Sequence, residues 1–527
     1  MADRTTRILF AVLLCVVTGI YSQHFDNSFQ FDDSHTIVEN SSIRSLTNWS
    51  RFFTDSATFS NSPHHRTYRP LLTLTLAIDY AIAGKLDPFV FHLQSFCWFL
   101  MHLGVMLLFF RELLQRLDFE PARANSLSLF AVAWYGLHPV QAETVNYLIQ
   151  RGDILSTLAV TLAVFLYLKG RNFLALVAGV LGCLAKQSAL VFPVLSLLTL
   201  WLVYGRYEFG RAFRQTIPAF ILAGFLFYLQ QSMTAATFEP GGPSRWLYLL
   251  TQPSVIGHYT LSFFLPLWLS ADSDWKVVSG PWEPQVITGA AFLLCFVSLG
   301  LYSLRKPALC PVGFGIFWML VALAPTSSVI PWAEVMNDHR MFFPFVGLSL
   351  AIVTLCSGIF SELVGAKCKD WQKKVAVVLL LLPYACATYE RNEVWHDDLS
   401  LWGDAAEKSP KNGRALMNLG NALMRRGQYE PALALFNQAR EFNPNYYLLE
   451  TNLGVIHGAL GKIPEAHRHF LRAIALKPNA SKTYFFYARF LIQQGDFEGA
   501  RRQLEMSRKL NPTDVDVQEL GRSIGGR

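Results

Sequence analysis

Long apolar runs separated by short polar loops fill the chain from residue 8 to about residue 390, after which Glu, Arg, Gln and Asn interleave with Ala and Leu. The first pattern predicts helices that cross a membrane, because a backbone in lipid must bond its own polar groups. Eleven runs reach spanning length, at about 8–23, 88–110, 125–139, 152–168, 172–186, 188–204, 215–231, 285–304, 311–330, 342–360 and 374–389. The first, "RILFAVLLCVVTGIYSQ", resembles a signal-peptide core flanked by Arg4 and Arg7, but no small-residue cleavage pattern follows, which predicts an uncleaved first helix. The stretch 246–272 is also apolar. Its Pro253, His258 and Pro266 predict a re-entrant or interface-lying helix, with Trp246 and Trp268 at headgroup level.

The second pattern has a period of 34 residues, marked by Pro410, Pro444, Pro478 and Pro512. Gly427, Gly461 and Gly495 keep that spacing, as do Ala432, Ala466 and Ala500, and Leu419-Gly420 and Leu453-Gly454 match the first-helix signature of tetratricopeptide repeats. The glycines predict the turn inside each helix pair, the prolines end the second helix, and residues 395–409 read as the second helix of a degenerate leading repeat. The expected fold class is therefore all-α: a polytopic membrane helical bundle over 1–390, then a repeat solenoid over 391–527. Such solenoids bind extended peptides or partner proteins, and a structural or self-associating role is the competing reading.

Charge orients the bundle. With Arg4 and Arg7 inside, alternate loops hold Arg111, Arg116 and Arg123; Lys169 and Arg171; Arg206, Arg211 and Arg214; Arg305 and Lys306; and Lys367, Lys369, Lys373 and Lys374. Every strongly basic loop then falls on the cytoplasmic side, and an odd span count puts the repeats outside. Charged residues are 16% of the chain against roughly 25% in soluble domains. The net charge of +7 sits in loops as topology information, without the basic stripe of a nucleic-acid binder. Seven of the eight cysteines lie in or beside apolar runs, and Cys368 is alone in a basic loop. Without a CxxC pair or Cys/His cluster, neither a disulfide framework nor a zinc site is indicated.

The outer loops collect the ionisable groups. They hold Asp32 and Asp33 in "FDDS", then His64, His65, Arg66, Tyr68 and Arg69 in "SPHHRTYRP". Further on come His138, Glu143, Arg151 and Asp153 in "HPVQAETVNYLIQRGD", Lys186, and Glu334, Asp338, His339 and Arg340 in "EVMNDHR". Charge clustered at membrane depth marks a functional site by default. One chemistry suits the set: transfer of a sugar from a polyprenyl-phosphate carrier to a hydroxyl. Asp32 or Asp33 would take the hydroxyl proton, and Arg66, Arg69, Arg151, Lys186, His339 and Arg340 would supply the phosphate partners. His65, Tyr68, His138, Glu143 and Asp153 share this face as candidates to orient substrate. Each residue also has a plainer reading. The diacid suits a solvated loop, His138 before Pro139 a span end, Arg66 and Arg69 headgroup anchors, and Glu143 with Arg151 a structural ion pair.

"FDDS" after the first span, "TYRPLLTLTLAIDYAIAGKLDPFVFHLQSF" leading into the second, "HPVQAETVNYLIQRGDIL" between the third and fourth, and the repeat array together resemble the transmembrane-and-tetratricopeptide-repeat O-mannosyltransferases. These belong to the GT-C superfamily of polyprenyl-phosphate-sugar glycosyltransferases. The resemblance runs along essentially the whole chain and is most specific at Tyr68-Arg69-Pro70, His138-Pro139 and Arg151-Gly-Asp153. It implies that the base role falls on Asp32 and Asp33, with no resident cofactor beyond the lipid-linked donor. For animal members it implies dolichyl-phosphate mannose, protein Ser/Thr acceptors and the endoplasmic-reticulum lumen. The few repeats look more like bacterial relatives, which implies an undecaprenyl-linked donor, a periplasmic face and an inner-membrane location. A divalent metal is not indicated. The rival readings are a membrane-anchored scaffold and a lipid-linked-sugar transporter; the latter needs charges within its spans and on both faces, whereas here they crowd one edge.

Overall fold

The computed structural model describes residues 2–234, 244–328, 331–364, 370–512 and 514–525. Among these the chain is helical or irregular, with no strand. It divides into two compact units, one of Met1–Leu269 with Trp275–Asp397 and one of Ser270–Asp274 with Asp398–Arg527. The protein is an integral membrane protein of all-α class.

Each of the eleven apolar runs contains a helix among the described residues. Five helices combine the length and apolarity needed to cross a bilayer: Pro88–Arg116, Leu148–Leu168, Gln187–Tyr204, Phe209–Met233 and Pro284–Leu304. The other runs form helices that are shorter or more polar, including Ala2–Ile20, Asn172–Ala185 and Cys310–Leu323. A further apolar helix, Pro70–Ala83, was not among the expected spans; its 14 residues are too few to span unaided. The stretch 246–272 gives one continuous helix, Arg245–Phe264, with Pro253 inside it. Lys367, Cys368 and Lys369 lie outside the described residues.

The first unit is held by close helix contacts. Helix Cys310–Leu323 packs along Pro344–Val364, and a β-carbon on Gly315 would strike the Gly347 carbonyl oxygen and come within 2.7 Å of the Ala351 β-carbon. With side chains at these two glycines the backbones could not approach this way, and small residues at such crossings are how membrane helices gain packing energy. The core alongside is aromatic, with Trp318 tilted against Phe109 and edge-on to Phe343.

The second unit is a row of antiparallel helix pairs, Gly413–Arg425 with Tyr429–Phe442, Tyr447–Ala459 with Ile463–Leu476, and Ser481–Gln493 with Phe497–Leu510. Helix Asp398–Lys408 leads them and Val515–Gly525 follows. Gly427, Gly461 and Gly495 have φ of 76°, 72° and 80°, so the turn inside each pair needs a residue without a β-carbon. Gly420 and Gly454 lie directly under the rings of Phe436 and Phe470, which explains the small residue in each first helix. The short segment Ser270–Asp274 belongs to this unit because Arg414 grips Asp272 with two hydrogen bonds of 2.6 and 2.7 Å.

Replacing Gly315 by Ala should cost about 1–3 kcal/mol through overpacking. It should lower the unfolding midpoint of the detergent-solubilised protein, and an unchanged midpoint would contradict this crossing.

Candidate active site

The two acids that follow the first helix differ sharply. Phe31 sits at φ 54°, in the left-handed region that a β-carbon disfavours by roughly 1–3 kcal/mol, and its ring lies 5.5 Å from that of Tyr147. This turn aims the neighbouring carboxylates in opposite directions. Asp33 is buried, its two oxygens accepting from the backbone N–H of Gln30 at 3.0 Å and of Ile149 at 3.1 Å. Burial and the adjacent Asp32 carboxylate push it up to about 8 against the pull of those two donors. Asp32 leaves 44% of its side chain exposed, with Oδ1 3.3 Å from Nε2 of His35. Desolvation would raise it, but the contact with His35 and the nearby His65 ring outweigh that effect and bring it down to about 2.

Two aromatic residues hold this turn. The Asp32 backbone N–H donates to the Tyr147 hydroxyl at 3.0 Å, and the Tyr147 ring stacks on the buried Trp395 at 5.8 Å. His35 is fixed by Ser60 Oγ at 2.9 Å from Nδ1 and by stacking on His65 at 4.6 Å.

A cationic patch shares the field of Asp32. Arg69 is half-buried, with its guanidinium 5.1 Å from the centre of the Phe59 ring, and is influenced by both Asp153 and Asp32. Its side chain has no hydrogen bond or ion pair among the described residues. Lys186 reaches Asp153 Oδ2 at 2.6 Å and Gln150 Oε1 at 2.9 Å. Gly152 permits that approach, since its β-carbon would lie 3.2 Å from a Leu72 methyl and 3.5 Å from the Ala185 carbonyl oxygen. Arg340 donates to the Glu334 carbonyl at 2.9 Å and the Tyr248 hydroxyl at 3.3 Å, with no carboxylate in ion-pair reach among the described residues.

His339 joins the patch without adding charge. Burial first, then Lys186, Arg340 and Arg69, hold its pKa well below the usual range. Its Nδ1 is 3.0 Å from Glu143 Oε1, and Glu143 is driven well above the carboxylate range by burial and by Asp338. Burial thus disfavours charge on both partners of this hydrogen bond. Lys186 is thus bridged to Asp153, Arg340 lies in the field of Glu334, and Arg69 lies in the fields of Asp153 and Asp32.

Several expected residues lie elsewhere. Arg151 is not free for phosphate: it is fully buried, paired with Asp79 at 2.6 Å and bonded to Ser95, Gln94 and the Phe91 carbonyl. The pairing expected between Glu143 and Arg151 is replaced by Glu143 with His339. Tyr68 is buried and donates to the Phe53 carbonyl at 2.9 Å. His138 is buried too, hydrogen-bonded to the Phe263 carbonyl and ringed by Phe263, Phe345 and Tyr384. Neither is placed to orient a substrate. Arg66 bonds the Ser60 carbonyl at 3.4 Å. No group of three His, Cys, Asp or Glu residues is arranged to hold a metal among the described residues.

Tyr147, His35, Tyr248 and Trp395 were not anticipated. Tyr147 lies within the quoted loop motif, and His35 stands three residues after Asp32. Asp79 had a readable signal, an acid inside an otherwise apolar helix.

Tetratricopeptide-repeat family models match residues 413–446 and 459–524. Over 90% of its length the chain is 23% identical to Protein O-mannosyl-transferase Tmtc3 of Drosophila melanogaster, covering 60% of that protein. It is 22% identical to Protein O-mannosyl-transferase TMTC3 of Homo sapiens over 89% of the chain and 55% of that protein. With Protein O-mannosyl-transferase TMTC4 of Mus musculus the identity is 25%, over 81% of the chain and 65% of that protein. The chain is similar to these proteins. It spans about three-fifths of their length, and its similarity to them runs through the bundle as well as the repeats.

The buried pair makes a stability prediction. Arg151→Met should cost about 3–5 kcal/mol by stranding Asp79. The double variant Arg151→Met with Asp79→Leu should recover most of the unfolding midpoint, whereas additive losses would show that the two side chains do not pair.

Proposed function

We propose that the protein transfers a sugar from a polyprenyl-phosphate carrier to a hydroxyl on the extracytoplasmic side of the membrane, the acceptor being Ser or Thr of a polypeptide bound by the repeats. The names of the relatives support mannose as the sugar, and their animal origin favours a dolichyl carrier and the endoplasmic-reticulum lumen over a periplasm. The observation that carries the reading is the pairing of an exposed, ionised Asp32 with an unpaired Arg69 in one electrostatic field.

In this reaction the acceptor oxygen attacks C1 of the sugar while the bond from C1 to the phosphate oxygen breaks. The electron pair leaves on the lipid phosphate, and Arg69, Lys186 and Arg340 stabilise the growing charge. The acceptor proton passes to Asp32. Asp33 shapes the loop through its two backbone contacts and does not touch substrate. Tyr147 positions Asp32, and the Glu143–His339 pair fixes the wall beside the cations without adding charge. His65 holds the ring of His35 in place, and Asp153 sets the position of Lys186.

Purified protein in vesicles with radiolabelled dolichyl-phosphate mannose and an acceptor protein tests the proposal through intact acceptor mass. Asp32→Asn should lower transfer about 10²–10⁴-fold with an unchanged unfolding midpoint. Full activity would sink the base assignment. Arg69→Ala should weaken donor use about 10–100-fold, as expected for losing one charge-assisted contact.

The pH profile separates the two acids. With Asp32 as base, its ionised form persists until pH falls through about 2, so this group imposes no acid limb near neutrality. With Asp33 as base, the rate would fall tenfold per unit below about 8. A level profile between about pH 5 and 7 is expected.

A further inference from the structure

Three Asn-X-Ser/Thr triplets occur in the chain, at Asn40, Asn48 and Asn479, and a fourth at Asn511 is blocked by Pro512. The triplet alone does not distinguish them, but their surroundings do. The Asn40 side chain is 2% exposed, and its Nδ2 donates to the carbonyls of Thr36 at 3.0 Å, Thr58 at 3.0 Å and Phe59 at 3.2 Å. Its Oδ1 accepts from the Ser42 N–H at 3.0 Å. This amide ties two loop segments together, and a sugar on Nδ2 would prevent the cage from closing. A chain modified at Asn40 before folding would therefore be excluded from the folded pool.

Asn48 is the opposite case. It is exposed, its side chain forms no hydrogen bond among the described residues, and Trp49 and Ser50 beside it are exposed too. Its φ of −107° and ψ of 27° break the surrounding helical turns, leaving the amide on an irregular, accessible backbone. Asn479 is exposed in the turn after Pro478, with a side chain equally free among the described residues. The Ser481 hydroxyl bonds the Ser507 carbonyl and hydroxyl at 3.0 Å once the repeats have packed. Asn479 is thus open to modification before packing and tolerates a glycan afterwards.

We propose that the folded protein carries N-linked glycans on Asn48 and Asn479 and none on Asn40. The assignment rests on the extracytoplasmic placement of both segments proposed above. In each transfer the amide Nδ2 bonds to C1 of a lipid-diphosphate-linked oligosaccharide and the bond from C1 to the diphosphate oxygen breaks. The lipid diphosphate leaves with the electron pair, and the amide proton goes to the base of the transferring enzyme. Neither asparagine is among the groups assigned to sugar transfer.

The test is full-length protein with a C-terminal tag, expressed in insect cells, with peptide mass spectrometry on the monodisperse detergent-purified fraction and glycosidase shifts on gels. Wild type should show two mobility steps, Asn48→Gln and Asn479→Gln should each remove one, and Ser42→Ala should remove neither. A glycan on Asn40 in the folded fraction would overturn the proposal. Protease treatment of intact microsomes separates the ways of failing. A protected tag with bare Asn48 or Asn479 overturns the assignment alone, whereas a digested tag overturns the orientation and the assignment with it.

Discussion

The ion pair of Arg151 and Asp79 is the interaction on which the charged end of the bundle depends. Both side chains are fully buried, and the guanidinium also bonds Ser95, Gln94 and the Phe91 carbonyl. It therefore joins helix Pro70–Ala83, helix Pro88–Arg116 and the helix that Arg151 itself begins. Charges taken out of water are tolerated only when such bonds satisfy them, so the three elements are held in one arrangement. Two residues later the same helix presents Asp153, which sets the position of Lys186. A purely structural charge pair thus fixes where the patch cations stand.

The second constraint is the unequal treatment of adjacent carboxylates. The left-handed turn at Phe31 lets Asp33 face inward to two backbone donors while Asp32 faces His35 and solvent. Identical side chains then acquire opposite tendencies, because desolvation prevails at Asp33 and is outweighed by nearby imidazoles at Asp32. The same division recurs at Glu143 and His339, both pushed toward neutrality so that the charge beside them remains that of Arg69, Lys186 and Arg340. Pre-organised positive charge next to one ionised acid is what a reaction with a phosphate leaving group requires.

Much of the fold was legible because its signals are local. Apolar run lengths reported helices, and the 34-residue period placed the repeat turns, whose glycines need positive φ. Helix Pro70–Ala83 escaped because a 14-residue apolar stretch satisfies neither the spanning rule nor the repeat rule. Among site residues, the grouping of charge on a few loops was readable, but individual roles were not. Arg151 and Arg69 are both arginines in polar loop motifs, yet only tertiary contacts show that one meets Asp79 and the other meets no acid within ion-pair distance among the described residues.

The sequence by itself determined the all-α class, the change from bundle to repeats, and the set of loops that carry ionisable groups, since each follows from spacing along the chain. Tertiary structure decided which of Asp32 and Asp33 is exposed, that His138 and Tyr68 serve packing, and that Tyr147 and Trp395 support the diacid turn. The physical reason is that desolvation and electrostatic coupling depend on neighbours brought from more than a hundred residues away, as Ile149 is to Asp33. Spacing along one strand of sequence carries no record of those neighbours.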